Sequence, residues 1–150
     1  QWFDLPRSPR LRIRIDDAVV AAPSLKAEFW DVVVRDIFSA GTVPDSVCTP
    51  EFMHSCMNAL KREGLFLINA ASAPTSQVQA QFAALAQISD FLVISDAAVA
   101  RGKRRGNLVL VARKTGFSAE DFDRLSRAVR KLPLPAQLYR HSDGALSRYN

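Results

Sequence analysis

The sequence predicts an α/β sandwich, and three observations carry that prediction. Apolar runs of strand length, at residues 31–36, 65–70, 91–95 and 107–112, alternate with segments whose apolar residues recur at helical spacing. Those helical segments open on capping residues and stop at Gly or Pro. The last two runs are separated by Asp96 to Gly106, too short a stretch for a helical crossover, so they are expected to pair as an antiparallel hairpin. Composition agrees: 150 residues, 48% hydrophobic and 23% charged, exclude a disordered tail and suit one globular domain.

Taken in order, Leu11-Arg12-Ile13-Arg14-Ile15 alternates apolar and charged residues, which at period two gives an edge strand with one wet face. A short helix is expected within Ala18 to Leu25. Asp31-Val32-Val33-Val34-Arg35-Asp36 is a β-branched run bounded by carboxylates, as in a central strand covered on both faces. Thr49 is suited to cap a helix with Pro50 at its first position and Glu51 in the positive first turn; Phe52, Cys56 and Leu60 form its stripe and Gly64 its end. Leu65 to Ala70 gives the third strand. Ser76 with Gln79 fits a capping box ahead of Val78, Phe82, Leu85 and Ile88. After the hairpin of Phe91–Ser95 with Asn107–Ala112, Ser118 and Asp121 open a last helix with stripe Phe122, Leu125, Val129 and Leu132, stopped by Pro133 and Pro135. The expected sheet is thus mostly parallel and ends in an antiparallel hairpin. Residues 1–132 are read as the folded portion and 133–150 as an irregular arm.

Several functions are excluded or disfavoured by the same residues. No apolar run approaches the ~20 residues that span a bilayer. The net charge of +5 is modest, and the basic stretch Arg101 to Arg105 reads as a solvated hairpin, so nucleic acid is not an expected partner. Cys48 and Cys56 are too few for a disulfide framework and read as reduced packing thiols, with the cytoplasm as the expected compartment. His54 and His141 have no Cys or carboxylate at ligand spacing, so no metal site is expected. Ser39 and Ser95 stand in no nucleophile elbow.

In an open α/β sheet, ligands bind beyond the carboxyl ends of the strands. Those ends carry Asp16 and Asp17, then Asp36, Asn69 and Asp96. A single carboxylate there is commonly a helix cap. Asp17 and Asp36, closing successive strands, are expected to face one crevice, one accepting hydrogen bonds from a nucleoside and the other deprotonating a nucleophile.

Ile15-Asp16-Asp17-Ala18, Asp31 to Ser39, Thr49-Pro50-Glu51-Phe52 and Leu60 to Asn69 resemble the second half of spermidine synthase-like proteins, over about residues 2 to 113. The resemblance implies a Rossmann-like class I methyltransferase sandwich with strand order 3-2-1-4-5-7-6, of which this chain is the C-terminal part. It implies that Asp17, with Asp16 and Ala18 beside it, falls where a Gly-Asp-Gly motif meets the adenine end of the nucleoside. It places Asp36 on the aspartate that helps deprotonate an attacking amine, with Phe38 and Ser39 shaping the substrate pocket. Where the family typically reads Asp-Ser-Ser-Asp, this chain reads Asp36-Ile37-Phe38-Ser39, without the second carboxylate.

The expected activity is transfer of an aminopropyl or related group to an amine. The expected co-substrate is decarboxylated S-adenosylmethionine or S-adenosylmethionine, and no prosthetic group is expected. Alternatives are a non-catalytic binding or dimerisation module of the same fold, and a methyltransferase acting on another nucleophile. A glycine-rich nucleotide loop has no counterpart in the sequence, so the upstream half of the same protein is the expected partner, and Val32 to Val34 are expected to lack covering elements. A homodimer is a further arrangement open to it.

Overall fold

The computed structural model describes residues 8–70, 75–101, 103, 105–133, 135–142 and 145–148. After an extended N-terminal segment comes α1 (Ala18–Ala21), a 3-10 turn (Ala22–Ser24) and β1 (Trp30–Arg35). A second 3-10 turn (Asp45–Val47) leads into α2 (Pro50–Ala59), β2 (Leu60–Asn69), α3 (Thr75–Ala86) and β3 (Phe91–Asp96). The chain ends with α4 (Ala97–Ala100), β4 (Leu108–Ala112), α5 (Ala119–Val129), β5 (Ala136–Ser142) and β6 (Ala145–Arg148). The six strands form one sheet in the order β1-β2-β4-β3-β5-β6.

That order corrects the expected strand directions. β1 and β2 are parallel, joined by the crossover through α2, and every other neighbouring pair is antiparallel. β2 and β3 still run the same way, as a crossover through α3 requires, but β4 folds back between them and pairs with both. The first four strands reproduce the 4-5-7-6 portion of the expected order.

Two further corrections concern the N-terminal side. Leu11 to Ile15 makes no ladder among the described residues, and Leu11, Ile13 and Ile15 are exposed, Ile15 at 98%. Alternation gives a strand one face to bury, but without a neighbour to accept its amides and cover that face the segment stays outside the sheet. β1 accordingly lies at the sheet edge rather than at its centre. Val33 and Arg35 turn toward α2 and α3, whereas Val32 and Val34 on the other face stay exposed at 46% and 60%.

Helix starts follow the sequence closely. The Thr49 side chain accepts from the Phe52 amide with Pro50 at the first helical position, and the Asp17 side chain caps α1. Ser118 and Asp121 form a reciprocal capping box, a device that contributes about 1 kcal/mol. α3, by contrast, already includes Thr75, so Ser76 lies within it and not at its cap. Gly64 does not end a helix: α2 stops at Ala59 and Gly64 sits inside β2. There the β1–β2 register jumps, from Trp30 opposite Leu60 to Val32 opposite Leu65. A side chain at 64 would put its Cβ 2.9 Å from the Trp30 carbonyl oxygen, so only glycine lets the strands close at this irregularity. The expected hairpin between β3 and β4 forms, with the short α4, capped by Asp96, at its tip.

Two apolar layers flank the sheet. One packs α2 and α3 on it through Phe52, Met53, Phe82 and Leu85 against Phe66, Ile68, Phe91 and Leu110. The other places Phe122 of α5 against Leu92, Val111 and Leu138. Leu138 belongs to a tail that is regular rather than irregular, since β5 and β6 extend the sheet beyond β3. Its inward positions alternate with polar residues, among them a buried histidine: His141 is stacked on Phe91 with ring centroids 4.4 Å apart.

Burial holds the His141 pKa below the ordinary value, partly offset by Asp90. An unfolded histidine takes up a proton near pH 6.5 while the native one resists, so this contribution is complete above that pH and declines as the pH falls below it. The urea midpoint should therefore drop between pH 7.5 and pH 5.5, and drop by less in His141→Phe. Equal drops in the two proteins would refute this role.

Candidate functional site

The carboxyl ends of β1 and β2 lie side by side, with Arg35 opposite Ile68 in register. Asp36, the first residue past β1, is exposed, and its Oδ1 accepts a hydrogen bond from Asn69 Nδ2 at 3.0 Å. Asn69 is the last residue of β2, so two neighbouring strand ends cooperate to orient one carboxylate. Downstream, Ile37 packs against the core and Phe38 stays 40% exposed. Ser39 and Thr42 then exchange backbone hydrogen bonds of 2.8 and 3.0 Å around Ala40 and Gly41, both at positive φ. That is a type I′ turn, and an alanine in it carries a backbone strain of about 1 kcal/mol. The segment after Asp36 is therefore pinned at both ends.

Asp16 and Asp17 sit where the extended N-terminal segment enters α1. Asp16 forms an ion pair with Arg14 at 2.5 Å and accepts from the Asp17 amide at 2.9 Å. Asp17 Oδ1 accepts from the Val19 amide at 2.7 Å, so its carboxylate does the ordinary work of a helix cap. The structure brings this segment to β1 through an apolar pocket of about 170 Å³. Ala18, next to Asp17, and Ile37, next to Asp36, share its wall with Val33, Arg35, Phe52 and Cys56.

The site also holds a residue the sequence did not single out. Arg35 is 1% exposed; its Nη2 donates to the Asn69 carbonyl oxygen at 3.1 Å and to Gln81 Oε1 of α3. Burial lowers its pKa, with Cys48, Cys56 and Asp36 opposing that shift, yet a guanidinium stays charged at any ordinary pH. Cys48 and Cys56 are free and buried. Desolvation raises both thiols, Cys56 to about 12, so they are packing residues and not nucleophiles at neutral pH. Arg101, Lys103 and Arg105 at the hairpin tip are exposed; Gly102 and Arg104 lie outside the described residues. No described helix is long and apolar enough to cross a membrane.

No protein-family model and no curated protein matches the chain. Solved structures do. The chain is similar to a probable spermidine synthase from Corynebacterium glutamicum, at 31% identity and TM-score 0.73, over 91% of this chain and 51% of that one. It is similar to a spermidine synthase solved with the transition state analogue AdoDATO, at 19% identity and TM-score 0.60, over 95% of this chain and 45% of that one. Human methyltransferase-like protein 13, solved with SAH, matches at 20% identity and TM-score 0.63, over 87% and 64% respectively. The chain thus spans about half the length of the spermidine synthases it matches.

Proposed function

We propose that this spermidine synthase-like chain of class I methyltransferase fold forms the acceptor side of a transferase. It moves an aminopropyl or related group from an adenosyl sulfonium to an amine. The donor is decarboxylated S-adenosylmethionine or S-adenosylmethionine. The observation that supports this most is the identity shared with the Corynebacterium protein over nearly the whole chain. The hydrogen-bonded carboxylate at the end of β1 gives that likeness a chemical rationale.

An ammonium has no lone pair to attack with. Asp36 orients the amine and takes its proton; the nitrogen then bonds to the carbon next to sulfur as the C–S electrons pass to sulfur, leaving a neutral thioether. Asp16, Asp17 and Ala18 face the adenosyl end, and Phe38 and Ser39 shape the acceptor pocket. The rest of the nucleoside site comes from an upstream half of the same protein, seated against Val32 and Val34, in the cytoplasm. The half-length match and the uncovered face of β1 support that partner.

The test is incubation of the intact natural polypeptide with each donor and a panel of amines, following the thioether nucleoside. Release of the thioether with alkylation of the amine is the expected result. Methyl transfer from S-adenosylmethionine to another nucleophile would replace this reading with that of a methyltransferase. Absence of calorimetric binding of any adenosyl nucleoside would replace it with that of a binding module.

A further inference from the structure

Arg35 is the most deeply buried charged side chain among the described residues. It forms no ion pair with any described residue; the buried Cys48 thiol lies beside it, but its Nε and Nη1, like Nε2 of the fully buried Gln81, make no hydrogen bond of ordinary geometry to a described residue. Such a group is a liability to folding, because buried charges replaced by apolar residues of similar volume commonly leave a protein equally or more stable. Unsatisfied donors at a buried position call for another explanation. What Arg35 holds supplies one. Its acceptor on β2 is the main chain of Asn69, and the side chain of that same Asn69 holds the Asp36 carboxylate. Consecutive residues at the end of β1 are therefore both tied to one residue of β2, one through the core and one at the surface.

We infer that Arg35 is a positioning residue for Asp36, acting through Asn69. Held from below by the guanidinium, Asn69 keeps its amide aimed at Asp36, which holds the carboxylate where the acceptor nitrogen must present its proton. Misplacement by about an ångström at such a point costs on the order of 100-fold in rate. The inference rests on the proposed role of Asp36.

The test combines Arg35→Met with Gln81→Leu in the intact natural polypeptide, so that neither buried partner is left orphaned. The expected result is an unchanged or higher melting temperature and a turnover at least tenfold lower. The KM for the donor should be unchanged, and the Asn69 side-chain amide resonances should shift. Arg35→Lys, which keeps a donor for the β2 carbonyl, should fall between wild type and the double variant. Turnover within twofold of wild type overturns the inference, as does a loss of turnover that appears only alongside a lowered melting temperature. If the unsubstituted polypeptide transfers nothing, the role of Asp36 fails separately. Asn69 amide resonances that still move in the double variant then sustain the positioning, and resonances that stay in place overturn it.

Discussion

Asp36→Asn should lower turnover by about 100- to 10,000-fold, the range a positioned proton acceptor supplies, and leave the fold intact. Asp36 lies past the last residue of β1, is exposed, and accepts a hydrogen bond from Asn69 Nδ2. An asparagine of the same shape offers a carbonyl oxygen to that amide, so the urea midpoint should hold, with a change within about 0.5 kcal/mol as for other surface substitutions. What it cannot do is accept a proton from an ammonium. The loss should therefore fall on turnover at saturating donor and acceptor, and not on donor affinity, measured by calorimetry in parallel. Turnover within threefold of wild type would remove Asp36 from the chemistry and leave it an orienting group at most.

Much of this molecule could be read from local residue chemistry, and the parts that could not share a cause. The caps at Thr49 and Ser118 act within three residues of themselves, so spacing alone reveals them. The apolar runs of β1 to β4 carry their own burial signal, and the short link between β3 and β4 fixes their pairing. Asp36 and Asn69 stand out because strand ends are where ligands meet an α/β sheet, whereas Asp16 and Asp17, expected at such an end, lie where a segment unpaired among the described residues enters α1. Arg35 did not stand out, since a charge closing a strand reads as solvated, and its partners Asn69 and Gln81 lie 34 and 46 residues further on. The same blindness hid β5, where His141 takes an inward place against Phe91 that no hydrophobic pattern announces. It also turned Gly64 into a helix stop, because the need for glycine comes from the Trp30 carbonyl on a different strand. Leu11 to Ile15 fails in the opposite sense: its pattern is that of a strand, but it pairs with no strand among the described residues.

The second large effect falls on the exposed face of β1, where an upstream half is proposed to seat. Val34→Lys combined with Val32→Lys should leave the stability of the 150-residue chain nearly unchanged, within about 0.5 kcal/mol per site. Both side chains already face water, at 60% and 46% exposure, and lysine keeps its ammonium solvated there. In the intact natural polypeptide, with the proposed upstream half seated on that face, the same pair should cost several kcal/mol, roughly 3 to 5, because each lysine would be taken out of water without a counter-ion. β1 has a β-branched run with one face packed against α2 and α3, and residues that invite burial on the other. Parallel urea titrations of the short chain and the intact polypeptide, each with and without the substitutions, measure the difference. A cost as large in the short chain would show that the face is already packed within these residues. An intact polypeptide indifferent to the lysines would overturn the proposal that an upstream half seats on β1.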